Sequence, residues 1–382
     1  MLTYPIYLDY NATTPIDREA ADAMLPYLYV HFGNPSSAHP YGRAARKAVD
    51  RAREQVAALL GATPDEIIFT SGGTEANNTV IKGVAEARGR GHIITSAVEH
   101  PAVLEPCHVL AARGFDITIL PVDAQGRVSP DDVRAAIRDD TILVSVMLAN
   151  NEVGTVQPIA EIASIAHEHG ALMHTDAAQA VGKMPVDVRV LGVDFLSVAG
   201  HKLYAPKGIG ALYVRQGIEL PKFMHGASHE RNRRAGTENV LEIVGLGAAA
   251  EVARRDMAAN IEAMRASRDR LREALTARLD GVRCNGDPDH SLPNTLSISF
   301  QNVQANVLVE RIAARVAASA GAACHADQVT VSAVLAAMDV PTDYAMGTLR
   351  LSTGKMTTLE EADEAAQVIA AAVEELRGQD PN

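Results

Sequence analysis

The stretch VDFLSVAGHKLYAPKGIGALYV, residues 193–214, decides the fold and also raises a functional question. Its two apolar runs, VDFLSVAG and GIGALYV, are typical of buried strands, and His201 and Lys202 stand where the first run ends. Burying an ammonium group without a partner is costly. Lys202 therefore either reaches solvent from the end of a strand or has a chemical role, and this stretch alone leaves both interpretations open.

Five further apolar runs precede this stretch and alternate with helical segments: EIIFT, HIITSAV, FDITILPV, TILVSVML and ALMHTDAA. Such alternation predicts an α/β fold with a mostly parallel sheet covered by helices. Before these runs, residues 16–61 read mainly as helix ending at Gly61, and after them residues 250–280 read as one long amphipathic helix.

The pattern changes after that long helix. A strand (NTLSISF), a helix (NVLVERIAARVAA) and a strand (GTLRLSTG) follow, and a capping box from Thr358 to Glu361 opens a final helix. This change predicts a second, smaller domain from about residue 256.

Length and charge exclude several classes of protein. The 382 residues suffice for two domains, or for one large α/β unit with an attached lobe. The net charge of −12 argues against nucleic acid or an anionic membrane as the main partner. No apolar run approaches the length of a membrane span, and the first residues lack the pattern of a signal peptide. Three widely spaced cysteines do not form a disulfide framework, so we expect a cytoplasmic protein.

Polar side chains stand at the carboxyl ends of the predicted strands, where ligands bind in open parallel sheets. Gly72, Gly73 and Thr74 form a glycine turn that leads into a helix, which suits a phosphate but is also an ordinary structural turn. The other strand-end residues are His100, Asn150, Asn151, Glu152, Asp176, Gln179, His201 and Lys202. His100 and Asp176 have a simpler interpretation as helix caps.

Together these residues match the needs of pyridoxal 5′-phosphate. The lysine forms a Schiff base with the aldehyde, and a carboxylate keeps the pyridine nitrogen protonated so that the ring accepts electrons. An aromatic side chain stacks on the ring, and N–H groups of a helix hold the phosphate. We therefore expect Lys202 to be used covalently.

The sequence also resembles a known family. The segments YLDYNATTP, TSGGTEANN, VEH, ANNEVG, HTDAAQAVGK, GHKLYAPKGIGALYV, RRAGTEN and LRLSTGKMTT closely resemble the cysteine desulfurases, which are fold type I pyridoxal-phosphate enzymes. The resemblance implies a large domain with a mostly parallel seven-stranded sheet and a smaller α+β domain. We place the large domain at residues 15–255 and the small domain at residues 1–14 and 256–382.

The resemblance also implies a role for each site residue. Lys202 is the Schiff-base lysine, and Asp176 faces the pyridine nitrogen. His100 stacks on the ring, Gln179 faces the ring hydroxyl, Asn151 orients cofactor or substrate, and Arg350 binds the substrate carboxylate. The expected phosphate ligands are Gly73, Thr74, His201 and, from the second subunit of a homodimer, Thr237. We expect no metal ion, because His225 and His229 have no third ligand nearby.

Cys324 is the expected nucleophile. Cys107 and Cys284 read as packing or surface residues, whereas Cys324 lies in the small-residue segment ASAGAACHAD, where the family carries its reactive cysteine. The resemblance implies that Lys202 removes the Cα proton of L-cysteine and that the Cys324 thiolate takes the sulfur. Alanine and an enzyme persulfide result, and an acceptor protein would receive the sulfur.

Three departures from the family pattern leave the substrate open, and one of them is the segment GAACHAD in place of the GSAC of housekeeping desulfurases. Ala199 stands where many desulfurases carry a serine, and Gly226, Ala227 and Ser228 stand where they carry three glycines. Ala199 and the segment GAACHAD resemble selenocysteine lyases, so L-selenocysteine is an alternative substrate. A β-eliminating C–S lyase or an aminotransferase of the same fold is a further alternative, in which Cys324 would be idle. A catalytically silent scaffold would be expected to lack Lys202.

Overall fold

The structure is a computed structural model that describes residues 4–325 and 328–378. For residues 322–325 and 328–329 it describes the backbone alone.

A seven-stranded sheet forms the centre of the large domain. After a short N-terminal strand β1 (Ile6–Tyr7), the sheet strands are β2 (Ile67–Thr70), β3 (His92–Ser96), β4 (Asp116–Leu120), β5 (Thr141–Ser145), β6 (Leu172–Asp176), β7 (Phe195–Ala199) and β8 (Gly210–Val214). Their order is β2-β8-β7-β6-β5-β3-β4, and β8 alone runs antiparallel to its neighbours. Each strand lies within one of the seven apolar runs, so the predicted α/β fold with a mostly parallel sheet is confirmed.

Helices cover this sheet. They are α1 (Arg18–Tyr29), α2 (Pro40–Leu60), α3 (Gly73–Arg88), α4 (Pro101–Ala111), α5 (Pro130–Ala136), α6 (Ile159–Glu168), α7 (Val188–Leu191) and α8 (Val240–Arg278). Short 3-10 turns occur at Pro64–Glu66, Gly200–Lys202 and Glu230–Asn232. The large core of buried side chains beneath them includes Val49, Leu60, Val146, Ile162 and Leu196.

The C-terminal part has its own sheet and core. Its elements are β9 (Val282–Asn285), β10 (Thr295–Phe300), α9 (Ala305–Ile312), β11 (Val316–Ala317), β12 (Ser319–Ala320), β13 (Ala322–His325), β14 (Gln328–Val331), α10 (Ala333–Ala337), α11 (Thr342–Ala345), β15 (Thr348–Ser352) and α12 (Leu359–Gly378). The sheet has the antiparallel order β12-β15-β10-β9. Leu8 packs into this second core with Leu271, Ile298 and Leu351, so the N-terminal segment joins the C-terminal part.

Three helix predictions need correction. Residues 16–61 form two helices, because the segment between them carries Gly33 and Pro35, and Pro40 then stands at the first position of α2. The long helix α8 begins at Val240 rather than at residue 250. The sequence pattern missed its first turns because they are largely buried and therefore lack the polar face of an amphipathic helix. A side chain at Gly247 would stand 2.6 Å from the Cα atom of Ala52 in α2, so the two helices approach closely at this glycine.

The third correction concerns the predicted helix NVLVERIAARVAA. Helix α9 ends at Ile312, and Val316 instead pairs in parallel with Ile6 of β1. Val316 is buried in that pairing. A β-branched side chain that can be buried against a distant strand favours the strand over a further turn of helix. The capping box at Thr358 is confirmed, since Thr358 and Glu361 exchange side-chain-to-backbone hydrogen bonds of 2.9 and 3.1 Å.

Candidate active site

A cavity of about 370 Å³ lies at the edge of the sheet where the parallel strands end. The sheet places the residues there because His100 follows β3, Asn151 follows β5, Asp176 ends β6 and Lys202 follows β7. The predicted site residues that line the cavity are Gly73, Thr74, His100, Asn151, Asp176, Gln179, His201, Lys202 and Arg350. Of the candidate residues with described side chains, Gly72, Asn150, Glu152 and Thr237 do not line it.

The amine of Lys202 lines the cavity and is bound by two backbone carbonyls. Its Nζ donates hydrogen bonds to the backbone carbonyl oxygens of Asn11 and Ala12, the latter at 2.7 Å. Burial, assisted by the positive charge of Arg350, lowers the pKa of the Lys202 amine to about 8, against the opposing pull of Asp9 and Asp176. With this pKa the amine is still mostly protonated at pH 7, but it supplies far more of the unprotonated form, which attacks an aldehyde, than an ordinary lysine would.

Asp176 is fixed in place by two hydrogen bonds. Its Oδ2 accepts a bond of 2.7 Å from the amide of Asn77, one turn beyond Thr74 in α3, and its Oδ1 accepts one of 2.9 Å from the backbone N–H of Ala178. The carboxylate is buried at the cavity wall. This arrangement holds a negative charge at one place in the cavity.

The two histidines are set up as neutral imidazoles. His100 caps α4, since its Nδ1 accepts the N–H of Ala102 at 3.0 Å, and burial lowers its pKa. The other nitrogen of neutral His100 then carries the proton. His201 contacts the hydroxyl of Thr13 at 3.2 Å, and burial together with nearby lysines lowers its pKa to about 4. The simple interpretation of His100 as a cap and its placement in the cavity are therefore both correct.

The part of the cavity wall formed by the start of α3 is suited to an anion. Gly72, with a φ of +151°, makes the turn into α3, a conformation that side chains rarely adopt. Gly73 and Thr74 then place the first turn of α3 at the cavity, where a helix presents unpaired N–H groups. Ala199 faces the same part of the wall, because a side chain at Gly73 would contact its Cβ at 3.5 Å.

Arg350 closes the cavity on the side of the C-terminal sheet. One Nη donates to Asp9 at 2.7 Å and to Ser319 at 3.0 Å, while its buried Nε has no partner among the described residues. Asp9 holds the guanidinium group in one orientation. Arg350 also lines the cavity, and a guanidinium group held in one orientation suits a carboxylate.

Sequence reasoning missed the polar residues that support this site, above all Asn11. The Asn11 carbonyl accepts from Lys202 and, at 2.9 Å, from the amide of Gln179. Its side chain accepts from Lys183 at 2.8 Å and donates to Thr295 at 2.8 Å. The only available signal was its position in the motif YLDYNATTP. Asn77 had a clearer signal, because it lies three residues after Thr74 on the same helix.

The remaining predicted residues lie elsewhere. Thr237 is exposed and lines a second pocket with Thr70, Ser71 and Arg234. Cys324 belongs to β13, which pairs with β14 through Cys324 and Val329, but its side chain lies outside the described residues. Cys107 is buried in α4, and burial raises its pKa to about 12, as suits a packing residue. Cys284 is exposed and lies in β9 rather than in a loop.

The described residues contain neither a cluster of metal ligands nor a helix that could cross a membrane. Among the described side chains, which do not include those of residues 322–325 and 328–329, no three His, Cys, Asp or Glu groups come together as a metal site would require. Among the described helices, none combines the length and the apolar character that crossing a membrane would take.

We predict that the reactivity of Lys202 follows a pKa near 8. The rate of Schiff-base formation with pyridoxal phosphate, measured by absorbance and corrected for titration of the aldehyde with a free amine, should rise about tenfold from pH 7 to pH 9 and then level off. The Lys202→Ala variant should lack this phase. A rate that keeps rising past pH 10, as an ordinary lysine would give, would contradict the role of burial.

Comparison with known proteins places this site in a family. The aminotransferase class-V model matches residues 6–364. The chain is 49% identical to "Cysteine desulfurase IscS" of Dictyoglomus turgidum, over 97% of this chain and 95% of that protein. It is 47% identical to "Cysteine desulfurase IscS" of Methanosarcina thermophila, over 98% and 94% of the two chains.

Solved structures agree with these relatives. A "NifS-like protein" superposes with a TM-score of 0.91 at 36% identity, covering 98% of this chain and all 100% of that one. The structure described as "SspA in complex with cysteine" has a TM-score of 0.81 at 38% identity and covers 91% of this chain and 99% of that one. The chain therefore belongs to the class-V aminotransferase family and, within it, to the cysteine desulfurases.

Proposed function

We propose that this protein is a cysteine desulfurase that binds pyridoxal phosphate, releases alanine from L-cysteine and carries the sulfur as a persulfide on Cys324. The observation that carries this proposal is the meeting of Lys202, Asp176, the first turn of α3 and Arg350 around one cavity. The relatives named cysteine desulfurase, similar over nearly the whole chain, support the reaction. The solved neighbour described with cysteine supports the substrate.

The residues present fit pyridoxal phosphate. The cavity of about 370 Å³ offers one amine of lowered pKa, one buried carboxylate and one helix N-terminus. These groups would bind the aldehyde carbon, the pyridine nitrogen and the phosphate, respectively. When bound, the cofactor supplies an electron sink for the Cα atom of the substrate.

The side chains of this protein perform the remaining work. Arg350 binds the substrate carboxylate, and the Lys202 amine, whose lowered pKa makes its unprotonated form accessible near neutral pH, takes the proton from Cα. The Cys324 thiolate forms a bond to the substrate sulfur as the C–S bond breaks. The electron pair of that bond passes to the substrate, which takes up protons and leaves as alanine. We expect neutral His100, which lines the cavity, to supply one of them from its N–H.

L-selenocysteine is the second candidate substrate. Ala199 lies against the α3 end of the cavity, so the hydroxyl that many desulfurases have there is missing, as in selenocysteine lyases. A selenol is much more acidic than a thiol, and the C–Se bond breaks more readily. Cleavage of that bond therefore depends less on a nucleophilic thiolate.

We predict that Cys324→Ala separates the two substrates. Release of alanine from L-cysteine should fall by about three orders of magnitude, because a positioned nucleophile contributes roughly 4 kcal/mol. Part of the activity with L-selenocysteine should remain. Steady-state release of alanine from both substrates measures this, with Cys284→Ala as the control that keeps both activities. Normal turnover of cysteine by Cys324→Ala would refute the persulfide route and favour a β-eliminating lyase.

A homodimer completes this proposal. Leu25, Leu28, Tyr29, Val30 and Phe32 lie at the end of α1 and just beyond it with large exposed side chains, Tyr29 at 82% and Phe32 at 70%. Exposed apolar surface of this kind marks an interaction site. Thr237 does not line the cavity of its own chain. A second copy packed on the apolar surface would bury that surface and could bring Thr237 to its neighbour's phosphate.

The segment that leads to Thr237 is held at its start by a buried ion pair. Glu230, Arg231 and Asn232 have φ values of +47°, +57° and +68°, which is strained for residues other than glycine. Glu230 is buried and accepts two hydrogen bonds, of 2.7 and 2.8 Å, from Arg53 of α2. This buried ion pair fixes the start of the segment to the large domain.

We predict complementation between two defective variants. Lys202→Ala abolishes the Schiff base, and Thr237→Ala weakens cofactor binding about tenfold by removing one hydrogen bond to the phosphate. A mixed dimer contains one cavity with both residues intact, so co-refolding the variants should restore Schiff-base absorbance at limiting cofactor. Thr358→Ala mixed with Lys202→Ala serves as the control that gains nothing by mixing. A monomer in sedimentation, or mixtures that never exceed the average of their parts, would refute the shared site.

A further inference from the structure

Lys183 is a buried lysine whose hydrogen-bond partners are both uncharged. It is only 3% exposed, and its Nζ donates to the side-chain oxygens of Asn11 at 2.8 Å and Gln179 at 2.7 Å. No carboxylate of the described residues pairs with it, and burial, together with Lys202 and Arg350, lowers its pKa. Burying a lysine without a carboxylate partner costs stability, so this position indicates a functional role at the site.

The partner residue Gln179 lines the cavity, and its amide can present either an N–H donor or an oxygen acceptor to it. The amide oxygen is occupied by Lys183, and the amide nitrogen donates to the Asn11 carbonyl at 2.9 Å. Rotating the amide by half a turn would set its oxygen against that carbonyl, placing two acceptors face to face. These two contacts therefore hold the amide oxygen on Lys183 and leave the second N–H of the amide nitrogen as a donor for a ligand in the cavity.

We propose that Lys183 is a positioning residue that fixes the Gln179 amide so that its N–H meets the ring oxygen of pyridoxal phosphate. The inference rests on the proposed function, since it needs the cofactor in this cavity. A donor stabilises the ring oxygen as an anion, whereas a carbonyl in the same place would repel it. The chain thus uses one buried lysine, Lys202, as the reactive amine, and a second, Lys183, to orient a neighbour.

Cofactor affinity tests this inference without any turnover. Absorbance or calorimetric titration gives the dissociation constants for pyridoxal phosphate and for the analogue that lacks the ring hydroxyl. Lys183→Met, which keeps most of the apolar stem, should weaken binding of pyridoxal phosphate about tenfold and change binding of the analogue less than about twofold. Lys47→Met removes an exposed positive charge from α2, outside the lining of the cavity, and should change neither constant.

A double-mutant cycle separates positioning from general damage. If Lys183 acts through Gln179, the variant carrying both Lys183→Met and Gln179→Met should bind pyridoxal phosphate no more weakly than Gln179→Met alone. Equal losses for both ligands, or additive losses in the cycle, would overturn the inference. If Lys183→Met does not fold, Gln179→Met decides, because an equal loss of both ligands there removes the basis of the proposal. Failure of the wild-type protein to bind pyridoxal phosphate would instead refute the proposed function.

Discussion

The amine of Lys202 is held inside the protein by two backbone carbonyls, those of Asn11 and Ala12, and by no carboxylate of the described chain. Burial, assisted by the positive charge of Arg350, disfavours the charged form of this amine and lowers its pKa to about 8. The sheet makes the position available, because β7 ends there beside the ends of β6 and β5. The chemistry proposed for the site depends on this amine being both buried and readily deprotonated.

The N-terminal segment links the two halves of the site. Asn11 contacts Lys202 and Lys183 in the large domain and Thr295 in the C-terminal sheet, while Asp9, two residues earlier, holds Arg350. The groups expected to bind the cofactor and the group expected to bind the substrate carboxylate are therefore oriented by one short stretch of chain. A displacement of this stretch would disturb both at once.

Local patterns in the sequence predicted the sheet well, and tertiary contacts explain where prediction failed. The seven apolar runs predicted the seven strands because parallel strands are buried on both faces. The resemblance to the desulfurases named the residues that the cavity gathers, yet it gave no role to Asn11 or Lys183. Those two act through contacts between residues distant in sequence, such as Asn11 with Thr295. Val316 was misassigned for the same reason, since its strand partner, Ile6, is about three hundred residues away.

One measurement tests the central claim that Lys202, rather than the more deeply buried Lys183, is the covalent partner of the cofactor. The protein is loaded with pyridoxal phosphate, reduced with borohydride and digested, and the modified peptide is identified by mass spectrometry. The account predicts a single phosphopyridoxyl group on Lys202, because the cavity is lined by this lysine and not by Lys183. A label on Lys183, or a loaded protein that takes up no label, would contradict it.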